Sequence, residues 1–138
     1  MTAPTGAPGR LLVVATPIGN LEDLTPRALA ALREASLVLC EDTRRTGNLF
    51  ARYGVTTPRV SCHEHNEFRR IPEVPDRLAA GETLALVSDA GTPGVSDPGR
   101  LLAAAAAAAG FRVEPVAGPS AVAAILSVSG FPAIPFSF

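Results

Sequence analysis

Two short polar segments of the sequence carry side chains that could accept a proton. Glu41 and Asp42 follow the apolar run at residues 37–40, and His63 and His65 follow another apolar run. Carboxylates and imidazoles commonly act as general bases when they lie within hydrogen-bond reach of the reacting group. Two structural alternatives stay open. An acidic residue before a helix is often a cap, and a histidine pair on a loop is often solvated or structural.

A third polar segment is rich in glycine and follows the apolar run at residues 84–87. It reads Asp-Ala-Gly-Thr-Pro-Gly at residues 89–94, and its two glycines allow the main chain to approach a ligand closely. Asp97 and Pro98 then predict the start of a helix, as an N-cap followed by proline. Strand, loop and helix form a βα unit, and open α/β sheets bind ligands at such loops. The alternative is a purely structural turn.

The pattern of apolar runs predicts the elements that must position these loops. Five strand-like runs alternate with helix-like segments, at residues 10–15, 37–40, 59–62, 83–88 and 111–116. This alternation predicts the α/β fold class, with a five-stranded parallel sheet flanked by helices. Because parallel strands share one direction, all five following loops lie at the same edge of the sheet. We expect the first and fourth strands to be neighbours, since both of their loops must reach one ligand.

Capping residues and prolines predict the helix boundaries. The predicted N-caps of the first, second and last helices are Thr25, Thr43 and Ser120. Pro72 and Pro75 predict irregular structure until a short helix at residues 76–80.

Several function classes are excluded by what the sequence lacks. The first predicted strand is followed by the single glycine Gly19 rather than by Gly-x-Gly-x-x-Gly, and the absence of lysine excludes a P-loop. No Gly-x-Ser-x-Gly occurs, so there is no nucleophile elbow. The net charge of −1 argues against binding of nucleic acid by this chain alone through a broad basic face.

The two cysteines and two histidines lack the spacing of a zinc site, so we assign no metal. Cys40 and Cys62 each lie in or beside an apolar run, which predicts buried thiols in a reducing cytoplasm. A disulfide between them stays open at this point.

The 138 residues correspond in size to one domain. Residues 1–9 predict a flexible tail without a signal peptide, and residues 10–138 form the domain. No apolar stretch is long enough for a membrane span, so we expect a cytoplasmic protein without a membrane partner. The final segment, Phe-Pro-Ala-Ile-Pro-Phe-Ser-Phe, suggests a domain cut from a longer chain, because exposed phenylalanines seldom end a soluble protein.

The loops taken together carry a family resemblance. Thr-Pro-Ile-Gly-Asn-Leu begins at residue 16, Glu-Asp-Thr-Arg at 41, His-Glu-His-Asn at 63, Val-Ser-Asp-Ala-Gly-Thr-Pro at 87 and Gly-Pro-Ser at 118. With these segments in this order, the chain from residue 10 onward resembles the bacterial ribosomal RNA small-subunit methyltransferase I family, within the tetrapyrrole methylase superfamily.

The resemblance implies a methyltransferase of two α/β domains that holds S-adenosylmethionine in the cleft between them. It implies a homodimer that methylates the ribose 2′-hydroxyl of a cytidine in 16S rRNA of the small ribosomal subunit. This chain would be the N-terminal domain only, and alone it would be inactive.

The same resemblance supplies candidate cofactor-binding residues in three loops. They are Pro17, Ser88, Asp89, Thr92, Ser120 and Ala121, to which the glycines Gly19 and Gly91 are added because they permit close approach. Methyl transfer to a hydroxyl is chiefly a matter of positioning. A base would assist it, and Glu41, Asp42, His63 and His65 are the candidates.

Two other functions stay open. One is methylation of a tetrapyrrole carbon, which the Thr-Pro-Ile-Gly-Asn and Glu-Asp-Thr-Arg segments fit less well. The other is a cofactor-free interaction domain whose loops are only turns. The segment around Pro72 and Pro75 departs from the more continuous helix usual in the family, so no function is carried over to it.

Overall fold

A computed structural model describes residues 6–95 and 98–137, and these form one parallel sheet with helices on both faces. The strands are β1 (Arg10–Val14), β2 (Leu37–Cys40), β3 (Arg59–Ser61), β4 (Thr83–Leu86) and β5 (Arg112–Val116). The helices are α1 (Pro26–Glu34), α2 (Thr43–Tyr53), α3 (Glu67–Arg70), α4 (Glu73–Ala79), α5 (Arg100–Ala108) and α6 (Ala121–Ser129). A 3₁₀ turn, Leu21–Asp23, precedes α1. The predicted fold class is confirmed.

The strand order is β3-β2-β4-β1-β5, so β1 lies between β4 and β5. Leu11 of β1 is level with Leu84 of β4 on one side and with Val113 of β5 on the other. The expectation that the first and fourth strands are neighbours is therefore confirmed. All pairs are parallel, which brings the five following loops to one edge of the sheet.

Two hydrophobic clusters sandwich the sheet, one on each face. Leu12 and Val14 pack with α1 and α2, whereas Leu11 packs with α4 and α5 on the other face. This division follows from the two-residue period of a strand, which sends successive side chains to opposite faces. Leu32 of α1 and Leu102 of α5 are fully buried. Burying one such side chain contributes about 1.5–3 kcal/mol relative to leaving it exposed.

The first two helices begin with side-chain caps. The hydroxyl of Thr25 accepts a backbone amide of the first turn of α1 at 3.0 Å, as predicted. The N-cap of α2 is Asp42 rather than the predicted Thr43, and its Oδ1 accepts the amide of Arg44 at 2.9 Å. Thr43 was the wrong choice because its backbone is already helical, while Asp42 has the extended backbone that a cap needs.

The prediction of irregular structure around Pro72 and Pro75 was wrong, since α3 and α4 occupy this segment. Pro72 is the N-cap of α4, with φ of −66°, and Pro75 lies in the first turn. Backbone amides of a first turn have no acceptor within the helix, so a proline there costs no hydrogen bond.

The start of α5 also differs from the prediction. The helix begins at Arg100, two residues after Pro98, because Gly99 has a left-handed φ of +115° and cannot join the helix. The predicted cap, Asp97, lies outside the described residues. Gly9, which was assigned to the tail, is buried and donates its amide to the carbonyl of Leu78 at 2.8 Å. Within the described ranges, no helix is long and apolar enough to cross a membrane.

The two cysteines are free thiols on opposite faces of the sheet. Cys40 packs in the cluster under α1 and α2, and Cys62 packs in the cluster under α4 and α5. The amide of Cys62 donates to the carbonyl of Cys40 at 2.6 Å, so the backbones are close while the side chains point apart. The disulfide that the sequence left open is therefore absent. Burial raises the pKa of Cys40, and burial with the nearby charge of Glu67 raises the pKa of Cys62 to about 12.

Both thiols should react very slowly with iodoacetamide in the folded protein at pH 8. The thiolate is the reactive form, and a raised pKa together with burial keeps its population and its accessibility low. In urea, both cysteines should be alkylated at the rate of a free cysteine. Intact mass spectrometry over a time course checks this. A native mass that lacks the two thiol hydrogens would mean a disulfide between the cysteines and would contradict the prediction.

Candidate functional site

Backbone hydrogen bonds join the loops after β1 and β4. The amide of Thr16 donates to the carbonyl of Gly91 at 3.0 Å, and the amide of Gly91 donates back to Thr16 at 3.0 Å. Gly91 has φ of +80°, and a Cβ there would lie 3.4 Å from Cγ2 of Ile18. Glycine is therefore favoured here by the left-handed backbone, since a Cβ would make only an ordinary contact with the first loop. The hydroxyl of Tyr53 donates to the carbonyl of Leu21 and ties the 3₁₀ turn to α2.

The loop after β5 joins the same group. Thr92 donates its hydroxyl to the carbonyl of Pro119 at 3.2 Å, which links the fourth loop to the fifth. Gly118 packs so closely against the residue that follows β1 that a Cβ there would lie 3.0 Å from Cβ of Ala15. Ser120 caps α6 by accepting the amide of Ala123 at 3.5 Å. Three loops are therefore held together by specific contacts.

A cavity of about 240 Å³ lies between these loops. Four predicted cofactor-binding residues line it: Gly91 and Thr92 from the fourth loop, and Ser120 and Ala121 at the start of α6. The other lining residues are Ile18, Ala90, Val95 and Val122. The walls are mostly apolar, with the two hydroxyls of Thr92 and Ser120, which is the composition expected of a small-molecule site.

A smaller cavity of about 60 Å³ lies nearer the middle of the sheet. Three predicted cofactor-binding residues, Pro17, Ser88 and Asp89, line it together with Thr16, Leu21, Arg45, Thr46 and Leu49. The predicted cofactor-binding residues are thus divided between two cavities on the same edge. Gly19 has a left-handed φ of +143° on the first loop and is not among the residues that line either cavity.

The carboxylates after β2 hold the fourth loop and the start of α2. Asp89 accepts the amide of Asp42 through Oδ1 at 3.1 Å, and Glu41 accepts the amide of Asp89 through Oε2 at 3.3 Å. Asp42 also caps α2, and its hydrogen bond from the amide of Arg44 lowers the pKa of its carboxyl group. Glu41 and Asp42 therefore lie beside Asp89, which lines the smaller cavity.

The histidine pair lies at the far edge of the sheet, after β3. The amide of His65 donates to Nδ1 of His63 at 3.2 Å, and the two rings meet edge to face with centroids 5.8 Å apart. The side chain of Asn66 accepts the amide of His63 at 2.7 Å. Three strand spacings separate β3 from β1, which is on the order of 14 Å. The structure thus separates this pair from the two cavities. No group of three potential metal-ligating side chains occurs within residues 6–95 and 98–137.

Sequence reasoning missed one polar residue at this edge. Glu67 is only 7% exposed, and its Oε1 accepts the amides of Gly99 and Leu101, each at 3.1 Å. It follows the His-Glu-His-Asn segment directly but contacts residues more than thirty positions away. A pattern of neighbouring residue types carries no signal for a contact of this range.

Comparison with known proteins identifies the family. The model of the tetrapyrrole (corrin/porphyrin) methylases matches residues 10–134. The chain belongs to the tetrapyrrole methylase family. Among solved structures of this fold, uroporphyrin-III-C-methyltransferase from Thermus thermophilus aligns with a TM-score of 0.68 at 25% identity, over 88% of this chain and 53% of that one. A diphthine synthase aligns with a TM-score of 0.67 at 19% identity, over 93% and 51%, which supports the fold alone.

More similar relatives of this methylase chain carry a ribosomal name. Proteins named ribosomal RNA small subunit methyltransferase I are 56% identical in Xylella fastidiosa and 53% identical in Pseudomonas aeruginosa. The aligned parts cover 95% and 94% of this chain but 48% and 46% of those proteins. The chain therefore spans about half the length of these relatives. The resemblance found in the loop sequences is confirmed.

The lowered pKa of Asp42 gives a testable pH dependence of stability. The ordinary pKa of the carboxyl group is 3.8. Since the folded state lowers it, the charge stabilises the fold at neutral pH, and that contribution is lost as the pH falls below the ordinary value through the folded pKa. In Asp42→Asn the amide oxygen still caps α2 without titrating. The free energy of unfolding in urea should be higher for wild type than for Asp42→Asn at pH 6. This difference should become smaller as the pH is lowered to 3.

The matched control for this experiment is Asp23→Asn, which removes an exposed carboxylate from the 3₁₀ turn. A difference between wild type and Asp42→Asn that stays constant from pH 6 to pH 3 would contradict the role of the charged cap.

Proposed function

We propose that this chain is the N-terminal domain of an S-adenosylmethionine-dependent methyltransferase. Its substrate in this proposal is 16S rRNA in the small ribosomal subunit, and the methyl acceptor is the ribose 2′-hydroxyl of a cytidine. The observation that carries the proposal is the joining of the loops after β1, β4 and β5 around one cavity, in a chain whose relatives are named for ribosomal RNA methylation.

The size of the cavity supports a second domain. Small-molecule sites usually enclose about 300–1,000 Å³, and the larger of the two loop cavities holds about 240 Å³. The relatives are about twice as long as this chain. We propose that residues 10–138 form the first domain, that a second domain closes the cleft, and that the complete enzyme is a homodimer.

The residues around the cavity fit the proposed cofactor. A bound S-adenosylmethionine would supply a methyl group on a sulfonium, which is electrophilic and needs only correct alignment with the attacking oxygen. Gly91 leaves one wall of the cavity without a side chain, and Thr92 and Ser120 carry hydroxyls into its lining. The half-buried carboxylate of Asp89 places negative charge nearby, which favours positively charged groups of the cofactor.

Of the four proposed catalytic residues, Glu41 and Asp42 have the more favourable position. Both contact Asp89, whereas the histidine pair lies at the other side of the edge. A base acts only within hydrogen-bond reach of the hydroxyl or through one water. We therefore propose Glu41 and Asp42 ahead of His63 and His65 as the groups to test for proton transfer.

The first experiment compares the product of the complete reading frame with the isolated chain. The complete protein should transfer a labelled methyl group from S-adenosylmethionine to small ribosomal subunits, with the label in a 2′-O-methylcytidine after nuclease digestion. The isolated chain should show no turnover, because half of the contacts and the exclusion of water are missing.

Three outcomes would contradict the proposal. Turnover by the isolated chain would remove the need for a second domain. Methylation of a tetrapyrrole instead of RNA would favour the alternative branch of the family. Failure of the complete protein to bind S-adenosylhomocysteine in calorimetry would favour a cofactor-free interaction domain.

Asp89→Asn in the complete protein should weaken S-adenosylmethionine binding by about 1–3 kcal/mol, the range for losing a charged hydrogen-bond partner. The fold should survive, since the asparagine oxygen can still accept the amide of Asp42. Titration with S-adenosylhomocysteine and melting curves without ligand check both parts.

The matched control is Asp76→Asn, which removes an exposed carboxylate from α4 that lines neither of the two loop cavities. Unchanged affinity in Asp89→Asn would reduce Asp89 to a structural role. A large fall in its melting temperature would show that its charge chiefly holds the turn.

A further inference from the structure

A buried carboxylate lies at the end of the loop that follows β4. Glu67 belongs to the short helix α3, yet its Oε1 accepts two amides at the start of α5, from Gly99 and Leu101, each at 3.1 Å. The residue is 7% exposed. Gly99 itself has φ of +115°, and a Cβ there would lie 2.7 Å from Cδ2 of Leu86. Gly99 therefore packs closely against Leu86 of β4, where a side chain would not fit.

The loop is therefore fixed at two distant points. At its beginning, Gly91 is paired with Thr16 through two backbone hydrogen bonds. At its end, Gly99 is held by Glu67. Between these points, Thr92 and Val95 line the larger cavity. The two attachments therefore lie on either side of these lining residues along the chain.

We infer that Glu67 is a positioning residue for the cofactor, which acts by fixing the end of the loop that forms the wall of the larger cavity. This rests on the proposed function, since the cofactor is S-adenosylmethionine in that proposal. A carboxylate suits the task because it can accept two amides with one oxygen, and its charge is favourable beside the N-terminus of α5. Helix α5 has no side-chain cap of its own, because its N-cap is Gly99.

Three variants of the complete protein test the inference. Glu67→Ala removes the acceptor, Glu67→Asp keeps the charge but shortens its reach, and Glu67→Gln keeps the acceptor without the charge. The matched control is Glu73→Ala, since Glu73 is an exposed carboxylate on the next helix that contacts Arg70. Each protein is titrated with S-adenosylhomocysteine below its measured melting transition, and amide hydrogen exchange is followed at Gly99 and Leu101.

In Glu67→Ala, the Kd for S-adenosylhomocysteine should rise about tenfold, a shift of the size that loss of a hydrogen bond to a charged group produces. Exchange at Gly99 and Leu101 should be faster. The KM for S-adenosylmethionine should rise while kcat changes little. Glu67→Gln should restore most of the affinity, Glu67→Asp should not, and Glu73→Ala should match wild type.

A purely structural role predicts a different result: lower melting temperatures with unchanged Kd and KM in the folded variants, and this would overturn the inference. If Glu67→Ala does not fold, the contrast between Glu67→Asp and Glu67→Gln decides in the same way. If the wild type does not bind S-adenosylhomocysteine, the proposed function fails. Amide exchange at Gly99 and Leu101 then tests only whether Glu67 holds the end of the loop. Unchanged exchange in Glu67→Asp would overturn the inference.

Discussion

The two backbone hydrogen bonds between Thr16 and Gly91 are the constraint on which the carboxyl-terminal edge of the sheet depends. β1 lies between β4 and β5, so the segment that leaves it must satisfy its backbone groups beside the loops of both neighbours. Thr16 does this by pairing with Gly91, whose left-handed φ of +80° suits glycine and strains other residues. The pairing brings Thr92 within reach of the carbonyl of Pro119, so the loop after β5 joins the loops after β1 and β4.

The local parts of this architecture could be predicted from the sequence because they depend on neighbouring residues. Apolar runs bounded by turn residues located all five strands, with β2 at Leu37–Cys40 matched to the residue. Thr25 with Pro26, and Ser120 before an apolar segment, located the starts of α1 and α6, since a cap and its amides lie within one turn. The choice between Asp42 and Thr43 failed because both residue types can cap, and only the observed backbone distinguishes them.

The contacts that shape the candidate site were harder to predict because they join distant parts of the chain. Glu67 meets Gly99 and Leu101 only after β3 and β4 have taken their places on either side of β2. The same strand order sets His63 apart from the cavities, although the sequence places all five loops at one edge. Parallel strands place all of their following loops at one edge of the sheet. The distance between two loops along that edge depends on the strand order, which the residue pattern does not encode.

Helix α6 links the candidate site to the apolar surface of the chain. It begins at the cavity wall with Ala121, and it has no buried residue, although its sequence is apolar on almost every side. Ile125 and Val128 are 64% and 79% exposed, and Phe131 beyond the helix is 77% exposed. A helix that is apolar all round is normally buried in an assembled protein, and burying these three side chains would contribute on the order of 5 kcal/mol. A second domain that covered α6 would also close the cavity, because the helix begins at the cavity wall. In such an arrangement, domain association and cofactor binding would strengthen each other by the same free energy.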